Sequence, residues 1–171
     1  RYWRDWSSDV CSSDLVITPY LIYPCLLFLL SRVRSLRTPG SAQPSVSLVI
    51  SAYNEASVIG EKLENACSLN YPAELLETIV ISDASDDGTD EIVLGFEDRG
   101  VRLLRQSVRD GKSAALTQFV PDCQGEIVVF SDANSVYDAD AIKKLVRHFD
   151  DPQVGYVVGH QRYEDGADDA S

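Results

Sequence analysis

Residues 47–55, SLVISAYNE, decide the fold: an apolar, β-branched run stops abruptly in small, aromatic and acidic residues. The run lacks strict in–out alternation, as expected of a parallel strand buried on both faces. Working outward, the same shape returns twice, in ETIVISD (77–83) and EIVVF (126–130). The apolar pattern predicts strands over 46–51, 78–82, 101–104, 127–130 and 154–158. Helical periods between them predict helices over 56–68, 90–97, 113–120 and 139–149. Alternating β and α elements with short connections imply an α/β domain, a mostly parallel sheet with helices on both faces. There is no internal repeat and no low-complexity tract.

Composition narrows the function classes. The chain has 171 residues, enough for one domain with a real core. Its net charge of −12 opposes a sequence-independent grip on nucleic acid, which depends on Lys and Arg neutralising phosphates. Cys11, Cys25, Cys67 and Cys123 are scattered, without a C-x-x-C pair, so neither a zinc site nor a dense disulfide framework is indicated. His148 and His160 are the only histidines, which leaves little for a His-based metal site or a Ser-His-Asp triad.

Four motifs then fall in one order: SLVISAYNE (47–55), ISDASDDGT (81–89), RDGKSAAL (109–116) and VVFSDANS (128–135). Ligands of open α/β sheets collect at the carboxyl ends of strands. Acidic strand ends sharing a site with one lysine suggest a nucleotide diphosphate and a divalent cation. Glu55 follows the first strand, where it reads equally as a ligand-facing carboxylate or a first-turn acid, with Asn54 capping the helix. Asp83 ends the second strand, where it can accept from a uracil or guanine N–H or shape an Asx turn. Lys112 follows Gly111 at a helix start, where ammonium and helix dipole both favour a diphosphate; a solvated lysine is the ordinary alternative. No Walker A motif is present. Arg109 is a further candidate phosphate contact. Asp132 and Asn134, at i and i+2 on a strand end, point the same way and can hold one hard cation with diphosphate oxygens and water. Alternatively Asn134 only shapes a turn. Asp87 and Asp138 read as helix caps, and Asp86 and Asp140 as structural acids.

In that order the motifs resemble the nucleotide-binding half of a family 2 glycosyltransferase with the GT-A fold. The resemblance covers residues 45–163, and the membrane run and SDANS look most similar to cellulose-synthase-like and hyaluronan-synthase-like members. It implies a nucleotide-sugar site of Ala52, Tyr53, Glu55, Asp83, Lys112, Asp132 and Ala133. Ala52 and Tyr53 line the base pocket, and Asp83 selects the base. Asp132-Ala133-Asn134 stands in place of the family's D-x-D, with Asp132 and Asn134 on Mg or Mn. Asn for the second acid brings no charge and should bind metal more weakly. The donor implied is a UDP-sugar, and the acceptor a carbohydrate or lipid-linked hydroxyl. In the family an inverting base lies downstream of the metal motif, followed by Q-x-x-R-W. Glu164-Asp165 comes too soon to be that base, and Gln161-Arg162-Tyr163 is not Q-x-x-R-W. The 171-residue chain is therefore expected to bind donor but not to transfer sugar. A nucleotidyltransferase would need a Gly-rich basic loop after the first strand, and a receiver-like signalling domain a late-strand lysine.

The flanks read differently. Residues 4–15, RDWSSDVCSSDL, resemble a translated sequencing adapter, so residues 1–14 are set aside as an artefact. LVITPYLIYPCLLFLL (15–30) carries no charge and spans about 24 Å as a helix, against about 30 Å of hydrocarbon. With Arg32, Arg34 and Arg37 behind it, residues 15–37 are expected to be a membrane segment with the following domain on the cytoplasmic side. A buried core helix or a signal-peptide core is the alternative. Residues 38–45, TPGSAQPS, form a linker. The GT-A domain then runs over 46–163, and 164–171 is a truncated polar tail.

Overall fold

The computed structural model describes residues 18–33 and 43–160. The chain divides into two units, Arg1–Thr38 and Pro39–Ser171. The first holds a π-helical turn, Thr18–Ile22, leading into helix α1, Tyr23–Val33. Pro24 is the second residue of α1. Tyr20, Leu27 and Phe28 are exposed within this unit. Among the described residues no helix is long and apolar enough to cross a membrane. The adapter-like residues and most of the basic flank lie outside the described residues.

The second unit is a four-stranded parallel sheet: β1 (Val46–Ala52), β2 (Leu76–Ser82), β3 (Val101–Arg105) and β4 (Ile127–Asp132), in spatial order β3-β2-β1-β4. Register runs Val46 to Leu76 and Ala52 to Ser82 between β1 and β2, and Ser51 pairs with Asp132 across to β4. Helices α2 (Ile59–Cys67), α3 (Thr89–Leu94), α4 (Lys112–Phe119) and α5 (Ala141–Val146) connect or follow the strands. Alternate residues of β1 feed opposite faces. Leu48 and Ile50 pack with Ile59 and Leu63 of α2, Val93 of α3 and Ile142 of α5. Val49, with Ile79 and Ile81 of β2, packs with Ala115 of α4. Helices on both faces therefore hold, as the apolar runs predict.

Two expectations fail. Residues 154–158 form no strand, and Tyr156 and Val158 are exposed. An apolar β-branched run becomes a strand only if a neighbour supplies backbone partners, and none of the described strands borders it. EIVVF, expected to be buried on both faces like SLVIS, forms the sheet edge instead, and Phe130 is 53% exposed. Helix boundaries also shift, because α2 begins only at Ile59 after a turn and α5 ends at Val146 in a 3₁₀ turn, Arg147–Asp150.

Candidate functional site

Sheet order creates the site. Chain progression runs outward from β1 through β2 to β3, then reverses to place β4 on the other side of β1. At such a reversal the loops leaving β1 and β4 diverge to opposite faces and open a crevice at their carboxyl ends. A cleft of about 240 Å³ lies there, bordered by Ala52, Tyr53, Glu55, Asp83, Lys112, Asp132, Ala133 and Asn134, with Ser51, Ile81 and Ala115 beneath. All the candidate nucleotide-sugar and metal residues thus border one space, although they come from four separated segments.

The β1 and β2 loops are tied into one rigid wall. Asn54 adopts φ 53°, and Ala84 φ 56°, both in the left-handed region that non-glycine residues seldom occupy. Asn54 does not cap α2. Its amide donates to Asp86 Oδ1 (2.9 Å) and its carbonyl oxygen accepts from the Asp86 N–H (3.0 Å). Glu55 N–H donates to Thr89 Oγ1 (2.9 Å). Asp87 is not the N-cap of α3, a position held by Gly88; its Oδ1 accepts from the Thr89 N–H (3.0 Å) as an Asx turn ahead of the helix, and its other oxygen accepts from the Ala56 N–H (3.0 Å). Those hydrogen bonds hold the Asp87 carboxyl below its usual pKa, led by the Thr89 hydroxyl. Asp138 does not cap with its side chain, which instead accepts from Lys144 Nζ (3.4 Å).

Asp83 is buried, and it is no local Asx turn. Oδ1 accepts from the Asp110 N–H and Oδ2 from the Gly111 N–H, both at 3.0 Å, so the carboxylate anchors the loop that delivers Lys112. Gly111 has φ 90°, a conformation that suits glycine, and Lys112 opens α4 immediately after it. Lys112 pairs across the cleft with Asp132 Oδ1. Arg109 does not border the cleft; its guanidinium lies 3.9 Å from the Tyr53 ring centroid, a cation–π contact at the cleft margin.

Asp132 is the last residue of β4, and Ala133 and Asn134 belong to the turn that follows. The i, i+2 pair therefore meets the cleft through a turn, not along an extended strand end. Ala133 is buried, whereas Asp132 and Asn134 are exposed. No group of three or more His, Cys, Asp or Glu that could hold a metal occurs among the described residues. Two hard oxygen donors on an open rim nonetheless fit Mg or Mn, ions that keep waters and share phosphate oxygens.

Sequence reasoning missed the residues behind this turn. Lys62 of α2 donates through Nζ to the Ser135 carbonyl (2.7 Å) and to Ser135 Oγ (3.2 Å). Burial lowers its pKa from 10.5 to about 8, with the Asp132 charge opposing the shift. A lysine on the apolar stripe of Ile59, Leu63 and Ala66 was the available signal.

Comparison with known proteins follows the same boundaries. The sequence model of glycosyl transferase family 2 matches residues 47–170. The beta-monoglucosyldiacylglycerol synthase of Trichormus variabilis is 37% identical over 118 residues, covering 67% of this chain and 25% of its own length. The poly-beta-1,6-N-acetyl-D-glucosamine synthase of Staphylococcus epidermidis is 32% identical over 119 residues, 68% of this chain and 28% of its own. The chain thus spans about a quarter of the length of these relatives. Among solved structures, the mannosyltransferase PcManGT of Pyrobaculum calidifontis, in complex with GDP-Man and Mn2+, superposes with a TM-score of 0.71 at 29% identity, over 82% of this chain and 44% of its own. TarS 1–349 of S. aureus, in complex with UDP-GlcNAc, shares the fold, with a TM-score of 0.52 at 24% identity over 58% of this chain and 29% of its own. These matches displace the receiver-like and nucleotidyltransferase alternatives. The chain belongs to glycosyl transferase family 2.

Proposed function

We propose that residues 46–160 form the donor-binding part of a metal-dependent glycosyltransferase that moves a sugar from a nucleotide diphosphate to an acceptor hydroxyl. One observation carries this reading: loops from β1, β2, the α4 start and β4 meet around one cleft at the sheet's reversal. Ala52 and Tyr53 offer an apolar and aromatic wall for a base. Asp83 has a second lone pair on each oxygen for a base N–H, and its backbone bonds hold it in place. Lys112 carries the positive charge to meet diphosphate oxygens, and its present partner Asp132 keeps it aimed into the cleft. Asp132 and Asn134 would hold the divalent cation. When bound, that ion offsets negative charge on the departing diphosphate. UDP-sugar is the donor this reading favours.

The acceptor fits a carbohydrate or lipid-linked hydroxyl, in keeping with the names of the relatives. A membrane tether ahead of the domain is supported by the uncharged run 15–30, and the arginines after it favour a cytoplasmic domain.

Calorimetry tests the assignment. The chain should bind UDP more tightly with Mn²⁺ than with EDTA, and Asp132→Ala should weaken Mn²⁺-supported binding at least about tenfold, near 1.4 kcal/mol. Equal affinity in both proteins removes Asp132 from the ligand set. GDP binding tighter than UDP overturns the base preference.

A further inference from the structure

Lys62 is 1% exposed, yet no carboxylate lies within 4.0 Å of its ammonium among the described residues. A buried, unpaired charge is costly, and leucine at this position would fill the same stripe without that cost. The geometry accounts for the charge. All three ammonium hydrogens have destinations: the Ser135 carbonyl at 2.7 Å, Ser135 Oγ at 3.2 Å and the face of Tyr137, whose centroid lies 4.0 Å away. Ser135 Oγ passes the contact on, donating to the Asp132 carbonyl (2.9 Å).

One turn further along α2, Asn65 makes a second attachment. Its amide donates to the Tyr137 carbonyl and its carbonyl oxygen accepts from the Tyr137 N–H, both at 2.9 Å. This two-way pairing copies a backbone ladder with a side chain. The Tyr137 hydroxyl in turn donates to the Phe130 carbonyl (3.2 Å), tying the loop back to β4. Since β4 is the sheet edge, no further strand steadies its carboxyl end among the described residues; α2 does.

We infer that Lys62 and Asn65 are positioning residues that clamp the 132–137 loop from behind, setting the Asp132–Asn134 geometry toward a divalent cation bound with a nucleoside diphosphate. The metal half of this inference rests on the donor-site reading above; the clamp itself does not. Lys62 does not border the cleft, so its effect is expected in the metal-dependent part of binding.

Lys62→Met and Asn65→Ala test it by two measurements. Hydrogen exchange of the Ser135 and Tyr137 amides, without ligand, should accelerate at least about tenfold in either variant, while amides of β1 and β2 stay protected. Unchanged exchange at both positions overturns the clamp. UDP affinity is then measured with EDTA and with Mn²⁺. Both variants should keep metal-free affinity within about twofold of the parent and lose most of the Mn²⁺ gain. Val101→Ala, in β3, serves as a destabilised control that should keep the gain. An undiminished gain in Lys62→Met and Asn65→Ala, or a loss shared equally by metal-free binding, overturns the positioning role. If the unaltered chain shows no Mn²⁺ gain, the donor-site reading fails, and the exchange result still decides the clamp.

Discussion

The ends of β2 and β4 face one cleft but are built in opposite ways. At β2, Asp83 is buried, and each carboxylate oxygen accepts a backbone N–H from the loop it anchors. At β4, the Asp132 side chain is 63% exposed, and its partner is another exposed side chain, Lys112. The difference follows from sheet position: β2 is flanked by β1 and β3, whereas among the described residues β4 has β1 on one side only. On the proposed donor-site reading, a nucleoside side made of anchored groups faces a metal side that is open to water and charge. Rigidity on one side and access on the other suits a ligand with one constant end and one ionic end.

That contrast can be broken by experiment, beginning with the sheet itself. Ile79→Ala removes a wholly buried β2 side chain and should cost about 2–5 kcal/mol by urea unfolding. Phe130→Ala on the edge strand should cost under about 1 kcal/mol in this chain. Comparable losses would mean that β4 is covered as fully as β2.

The two aspartates come next. Asp83→Ala leaves two loop N–H groups without their charged acceptor and should cost about 2–3 kcal/mol. Asp132→Ala removes an exposed ion pair and should change stability by less than about 1 kcal/mol, even as it weakens metal-supported UDP binding. Reversal of that order would dissolve the distinction between the two sides.

The pH response of Lys62 sharpens the account of what lies behind β4. Its folded pKa, about 8, lies below the ordinary 10.5. Between those values the unfolded chain holds more protons than the folded one, so stability rises with pH across that window. The slope should stay below about 1.4 kcal/mol per pH unit, the limit for one proton. Subtracting the Lys62→Met profile isolates it, because groups common to both proteins cancel. A flat difference from pH 8 to 10 would show that the ammonium is well solvated.

Much of this was legible from residue order. SLVIS and ETIVIS announce buried parallel strands because their apolar faces have no polar side; Asp83 and Asp132 stand out as charges at the ends of apolar runs, and Lys112 as a lone cation after a glycine at a helix start. Residues 154–158 misled because strand propensity says nothing of whether a partner is alongside. EIVVF misled because edge and central strands can carry the same side chains. Asp83 was legible as a site residue, but its bonds to Asp110 and Gly111 were not, since the two segments are far apart in the chain. Lys62 went unnoticed because a lysine in a helix ordinarily faces water.

Local chemistry, then, was enough to indicate an α/β domain and the family, and to nominate the residues proposed for a nucleotide diphosphate. Tertiary packing alone chose the order β3-β2-β1-β4, and with it the reversal that brings four loops to one cleft. It also turned Lys62 inward against the Ser135 carbonyl. Side-chain periodicity encodes which faces of an element are apolar, but neighbours are selected by global burial and by where every backbone and charged group finds a partner.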